Sequence, residues 1–390
     1  MRSQPLSPST AKRARSAAVC IGERLIAKFA DLPDGRGLDG SSGFALAFAA
    51  LADATGDDRY RQAAHECLRQ AAQAVDKPSI GLFSGISGLR AVAALMSAQA
   101  TQYVRLVEQC DAYVDCALPL PEAATVSSFR DFDVISGWSG ARLARYVNAA
   151  SGPDRLLSLL EWLMIDDDRW CRVHPLRQND PPENDLGIAH GIAGMLAAVV
   201  LTTEPLESSD RVILHRQASN LMMHATRNQG RVLWPAFAGS HRLVDQRAWC
   251  YGTPGIAAAL YWVGRRLSDS AIATFALDTL AAECATPPNA WAFWDHALCH
   301  GTLGCALIYA SVGVASGERR LLGVVDALVK RVLEDIAKNE AACWGQAPEM
   351  STPSLTGELV GAAGVALGLL TLGEASDSTW VRLHGLEPWH

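Results

Sequence analysis

No stretch of this sequence is both long and apolar enough to read as a membrane span. The strongest runs, Ala193–Thr202 and Leu359–Leu372, are short or broken by glycine, and a spanning helix needs roughly 18 or more apolar residues in succession. No hydrophobic segment of signal-peptide length follows the basic residues Arg2, Lys12, Arg13 and Arg15, because Glu23 and Arg24 interrupt it. The expectation is a cytoplasmic protein without an integral membrane segment. No CxxC pair occurs, which removes the ordinary zinc-ribbon and thioredoxin readings. Basic excess is lacking too: the net charge is −7, so nucleic acid is not an expected partner.

What is present is apolar bulk. Of 390 residues, 49% are hydrophobic and 19% charged, enough for a large core and too little charge for general disorder. One domain over residues 1–390 is expected, with residues 1–20 a flexible N-terminal segment. In a chain read as cytoplasmic, the ten cysteines are not expected to form disulfides. Cys20, Cys67, Cys110, Cys116, Cys171, Cys284, Cys305 and Cys343 read as buried free thiols.

A repeat organises the chain. A glycine, two residues, a second glycine and then an apolar helical run recur seven times, beginning at Gly40, Gly85, Gly137, Gly191, Gly252, Gly301 and Gly361. The intervals of 45 to 61 residues each have room for two helices and two loops. The runs after the glycines are apolar nearly all round, as buried helices are. Between them lie amphipathic stretches with one wet face, such as Arg59–Val75, Arg211–Arg227 and Arg319–Lys338. The pattern predicts an all-α protein, an α/α toroid of seven inner and seven outer helices, although an open solenoid has the same repeat signature. Glycine pairs at helix starts permit positive φ and close backbone approach. No Walker-type lysine follows them, which argues against a phosphate loop. Asn179–Asn184 and Pro119–Ser128, rich in proline or polar residues, are expected to be exposed loops.

Unusual residues precede the first glycine in three repeats: Ala189-His190, Trp249-Cys250-Tyr251 and Leu298-Cys299-His300. If all inner helices start at one end of the ring, these side chains converge on one mouth. Cys250, Cys299 and His300 would then form a thiol–thiol–imidazole set suited to Zn2+, with a fourth position open, as in catalytic zinc sites. Spacing alone leaves a second reading open, in which the same residues are buried thiols and a core histidine. His296 is a further candidate beside the zinc set. His65, His215 and His224 fall on expected outer helices. Trp249, Trp291, Trp294 and Trp344 are expected either around the mouth or in the core.

The segments WCYGTPG, CHGTLG and AHGIAG, set among seven Gly-x-x-Gly loops, resemble the lanthionine synthetase C-like family, the lanthipeptide cyclases. The likeness runs from Gly40 to the helix ending near Leu372, and the length resembles the stand-alone cyclases. It implies one zinc ion on Cys250, Cys299 and His300, a general acid/base at His190 and an acidic site residue at Asp133. It further implies that Tyr251 and an arginine just before WCYG, nearest at Arg247, line the site. The implied reaction adds cysteine thiols of a precursor peptide to dehydroalanine or dehydrobutyrine, forming thioether rings, with a dehydratase and an exporter as partners. Other readings are addition of glutathione to dehydroamino acids, a prenyltransferase-like toroid and a non-catalytic, zinc-containing peptide-binding toroid.

Overall fold

The computed structural model describes residues 4–32, 34–74, 79–97, 101–147, 154–166, 184–339, 357–374 and 376–389. Cys171, Cys343, Trp344 and most of the loop over residues 179–184 lie outside them. Fourteen α-helices occur among the described residues: α1 Pro8–Ala27, α2 Ser41–Thr55, α3 Asp58–Gln73, α4 Ile86–Ser97, α5 Val104–Ala117, α6 Trp138–Arg145 and α7 Arg155–Met164, then α8 Ile192–Thr202, α9 Ser208–Met223, α10 Thr253–Leu267, α11 Ser270–Glu283, α12 Thr302–Ser316, α13 Arg319–Lys338 and α14 Ala362–Leu372.

The even-numbered helices are the inner layer, and each follows one of the seven glycine pairs. They pack on one another in chain order, and α14 returns to α2. Their composition explains the placement. All residues of α8 and of α14 are buried, so neither helix has a wet face to offer. The odd-numbered helices lie outside. In α13 the buried residues Leu321, Val324, Val325, Leu328, Val332 and Leu333 form one stripe, and at roughly 25 cal/mol per Å² of apolar surface such a stripe holds the helix to its inner partner.

A ladder of backbone hydrogen bonds closes the ring. The residues before each helix bond to the equivalent residues of the next repeat: Leu38 N–H to Leu82 O, Leu82 N–H to Ile135 O, Val134 N–H to Ala189 O, Ile188 N–H to Cys250 O, Cys250 N–H to Cys299 O and Leu298 N–H to Leu359 O. Glu358 N–H to Leu38 O completes the circuit at 2.9 Å. All seven inner helices therefore start at the same end. The second glycine of each pair is the reason the ladder can form. A Cβ at Gly43, Gly88, Gly140, Gly194, Gly255, Gly304 or Gly364 would sit well inside contact distance of a backbone carbonyl oxygen of its own loop. Close approach, not positive φ, is what these loops need; of the seven first glycines only Gly252 has a positive φ, +94°.

Three expectations are corrected. Residues 8–20 are not a flexible segment: they belong to α1, which packs on α13 and α14 as the seventh outer helix. Ser7 caps it, Pro8 stands in its first turn, and Ala11, Ala14, Ala18, Ile21 and Leu25 are its buried stripe. The charges at Lys12, Arg13 and Arg15 lie on its exposed face. The amphipathic stretch expected to run to Arg227 ends as helix at Met223, and Thr226–Asn228 pairs with Arg231–Leu233 in a hairpin. Gln229 and Gly230 both have positive φ, which such a two-residue turn requires. Cys20 and Cys116 are exposed, not buried. No helix among the described residues is long and apolar enough to cross a membrane.

Beyond α14 the chain folds back against the inner helices through a short 3-10 segment, Thr379–His384, in which Trp380, Val381, Leu383 and His384 are buried. Trp249 donates its indole N–H to His384 O at 2.8 Å, so the C-terminal segment supports the loop that carries Cys250.

Candidate metal centre

The ladder sets the site. Cys250 and Cys299 occupy the same position, two residues before the first glycine, in adjacent repeats, and the Cys250 amide donates to the Cys299 carbonyl at 3.1 Å. Their side chains are thereby neighbours. His300 is the next residue. The two sulfurs and one imidazole nitrogen all lie within 4.8 Å of one another. Cys250 is buried, whereas Cys299 and His300 are partly open to solvent. Two thiols and an imidazole form a donor set that fits Zn2+.

The thiols are electrostatically linked. Hydrogen bonding from Cys299, and then from His300, draws the Cys250 thiol below its ordinary pKa, and the same contact pushes Cys299 up. The two thiols titrate as a pair, so one falls as the other rises. His300 is raised to about 10, first by its hydrogen bond with Asp295 and then by that with Cys250, against the opposing effect of burial.

His190 stands one residue before its glycine, in the position that Tyr251 and His300 hold in the next two repeats. Its Nδ1 lies 2.6 Å from Asp133 Oδ2. Val134 N–H bonds to Ala189 O, which brings these two loops side by side. Asp133 is itself anchored, accepting the Ser136 amide at 2.6 Å. Burial works against a charged His190, but the hydrogen bond and charge of Asp133, with the field of Asp185, outweigh it, and the His190 pKa is raised. Phe129 packs edge-on against the imidazole at 4.8 Å.

Tyr251 lies beside His190, ring centroids 6.3 Å apart, and donates its hydroxyl to Asp185 Oδ2 at 2.5 Å. Burial, followed by the charge of Asp185, raises the phenol pKa. Asp185 is raised to about 6 by desolvation, partly offset by the Tyr251 hydrogen bond.

The profile of the family described as lanthionine synthetase C-like protein matches residues 35–384. The chain belongs to the lanthionine synthetase C-like family. Its fold is similar to that of a solved structure of nisin cyclase, with a TM-score of 0.72 at 18% sequence identity, covering 93% of this chain and 96% of that one. This lanthionine synthetase C-like chain is thus an α/α toroid, as the glycine repeat predicted. The family match extends past Leu372 to the buried 3-10 segment.

Two candidate site residues, Arg247 and His296, are placed elsewhere, and the other described histidines and tryptophans fall where the sequence allowed. Arg247 does not turn toward the thiols. It is buried, with Nε 2.5 Å from Glu283 Oε2 at the end of α11 and its guanidinium over Trp291 at 4.7 Å. Three residues before Cys250, it leaves the loop on the side facing the outer layer, where Glu283 supplies the opposite charge. His296 likewise turns to Thr302 and Asp335. His65 and His215 pair with Tyr103 and Asp269 on outer helices. Trp249 and Trp291 are core residues, whereas Trp294 is exposed, at 65%, with its ring 5.3 Å from that of His300. Sequence reading missed Asp185 and Asp295. A signal existed: both stand six residues before the first glycine of their repeats.

Proposed function

We propose that this protein is a zinc-dependent lanthipeptide cyclase acting on a dehydrated, ribosomally made precursor peptide. The observation that carries the reading is the Cys250–Cys299–His300 cluster within 4.8 Å in the same mouth as the His190–Asp133 pair. Cys250, Cys299 and His300 would hold one zinc ion. When bound, zinc supplies a Lewis acid that keeps an incoming peptide thiol deprotonated at neutral pH, where a free thiol of pKa about 8.5 is mostly protonated.

Attack of the peptide sulfur on the β-carbon of dehydroalanine or dehydrobutyrine forms a C–S bond and leaves an enolate, which must take a proton at the α-carbon. His190 is the donor. Asp133 holds its Nδ1, so Nε2 is the nitrogen free to deliver the proton, and a raised pKa keeps that proton available near neutrality. The thiol's lost proton can return to His190, so the net reaction is an addition with no change in mass. Tyr251, held by Asp185, lines the site next to His190. A dehydratase must act beforehand to make the acceptor, and an exporter is a second proposed partner.

The test is incubation of the zinc-loaded protein with a dehydrated, thiol-bearing precursor peptide, followed by thiol alkylation and mass spectrometry. Ring formation gives loss of alkylatable thiol at constant peptide mass. Peptide thiols that remain fully alkylatable with zinc-loaded protein would overturn the reading.

A further inference from the structure

The register position six residues before the glycine pair carries aspartate in the first, third, fourth and sixth repeats, at Asp34, Asp131, Asp185 and Asp295, and the last two are built alike. Asp185 Oδ1 accepts the Gly187 amide at 2.8 Å, and its Oδ2 takes the Tyr251 hydroxyl. Asp295 Oδ1 accepts the Ala297 amide at 2.9 Å, while its backbone carbonyl accepts the Thr302 amide at 3.1 Å. One oxygen of each carboxylate is thus used to fix its own turn, and the other is aimed into the mouth. For Asp295 the aim is His300: Oδ2 lies 3.0 Å from Nε2, with the aspartate side chain only 11% exposed. Gly301 is part of the device, since a Cβ there would collide with Asp295 Oδ1.

We infer that Asp295 is a positioning residue for the metal centre: it engages Nε2 of His300, so that the ring is held with Nδ1 as the nitrogen free to face the thiols of Cys250 and Cys299. The inference rests on the zinc reading above. A histidine ligand whose second nitrogen is held by a carboxylate has a fixed ring orientation and is a more basic donor, and loss of such a partner commonly lowers metal affinity 10- to 100-fold. The loop alone does not provide this, because the partly open ring of His300 is otherwise flanked by the exposed Trp294.

The test is zinc affinity, measured by competition with a chromophoric chelator, for Asp295→Asn and Asp295→Ala beside the unaltered protein and Cys299→Ala. Asparagine keeps the oxygen that accepts the Ala297 amide but removes the charge facing His300, so it separates the turn from the positioning role. Expected is a 10- to 100-fold rise in the zinc dissociation constant in both aspartate variants, with the Asn variant melting like the parent in the zinc-free state. Zinc affinity of Asp295→Asn within twofold of the parent would overturn the inference and leave Asp295 a turn residue. If Cys299→Ala also retained parental affinity, the zinc reading itself would fail, and the two failures are thereby distinguished.

Discussion

The amide of Cys250 donates to the carbonyl of Cys299 across 3.1 Å, and that bond between adjacent repeats is what makes two cysteines 49 residues apart a pair. Every rung of the same ladder joins one repeat to the next. The candidate metal centre is therefore a local decoration of a structural ring, and its integrity depends on backbone contacts outside its three donor atoms.

Cys299→Ala and Cys250→Ala should each abolish stoichiometric zinc and ring formation together. Metal analysis of the unaltered, zinc-supplemented protein should give about one zinc per chain. Substoichiometric metal after supplementation counts against the site.

His190→Ala should retain zinc and lose rate, by roughly 10²–10⁴-fold for removal of a general acid. The paired measurements are zinc content and the alkylation assay. Unchanged ring formation would remove His190 from the mechanism.

Asp133→Asn should shift the pH profile. Asp133 raises the His190 pKa, so its neutralisation lowers that pKa, and the alkaline limb of kcat/KM should move to lower pH. The same pair contributes to stability with a definite sign. Because the folded-state pKa lies above the unfolded value of 6.5, the contribution is full below about pH 6.5 and is lost as pH rises through the folded value. The melting difference between parent and Asp133→Asn should accordingly shrink as pH is raised. A profile identical to the parent's would show that the hydrogen bond does not set the working protonation state.

Gly304→Ala should cost more than about 2 kcal/mol and weaken zinc binding, since the added carbon collides with the Leu298 carbonyl, one residue from Cys299. Gly323→Ala is the control. That glycine lies in α13 with open space around its Cβ position, and the change should stabilise by roughly 0.5–1 kcal/mol through helix propensity. Denaturant titration reads both.

Leu25→Ala should destabilise by about 2–5 kcal/mol, because Leu25 is fully buried in α1. Calorimetry checks it, and an unchanged melting temperature would show that α1 is not docked through this residue.

Seven glycine pairs and the largely apolar runs behind them dictated inner helices and their number, because only helices without a wet face can fill the centre of a ring; their common starting end was settled by the backbone ladder. The segments around Cys250, Cys299 and His190 carried the family and the donor set. The N-terminal helix was equally legible, through Ser7, Pro8 and the spacing of Ala14, Ala18, Ile21 and Leu25, but its charges masked the stripe. What only the tertiary structure decided is where side chains point once the ladder closes. Arg247 and Asp295 both lie near a member of the thiol–imidazole cluster in sequence, yet Arg247 turns outward to Glu283 and Asp295 inward to His300. Spacing in a loop fixes neither, because a side chain's direction there depends on the opposite charge that a distant segment presents and on the turn that anchors its own backbone.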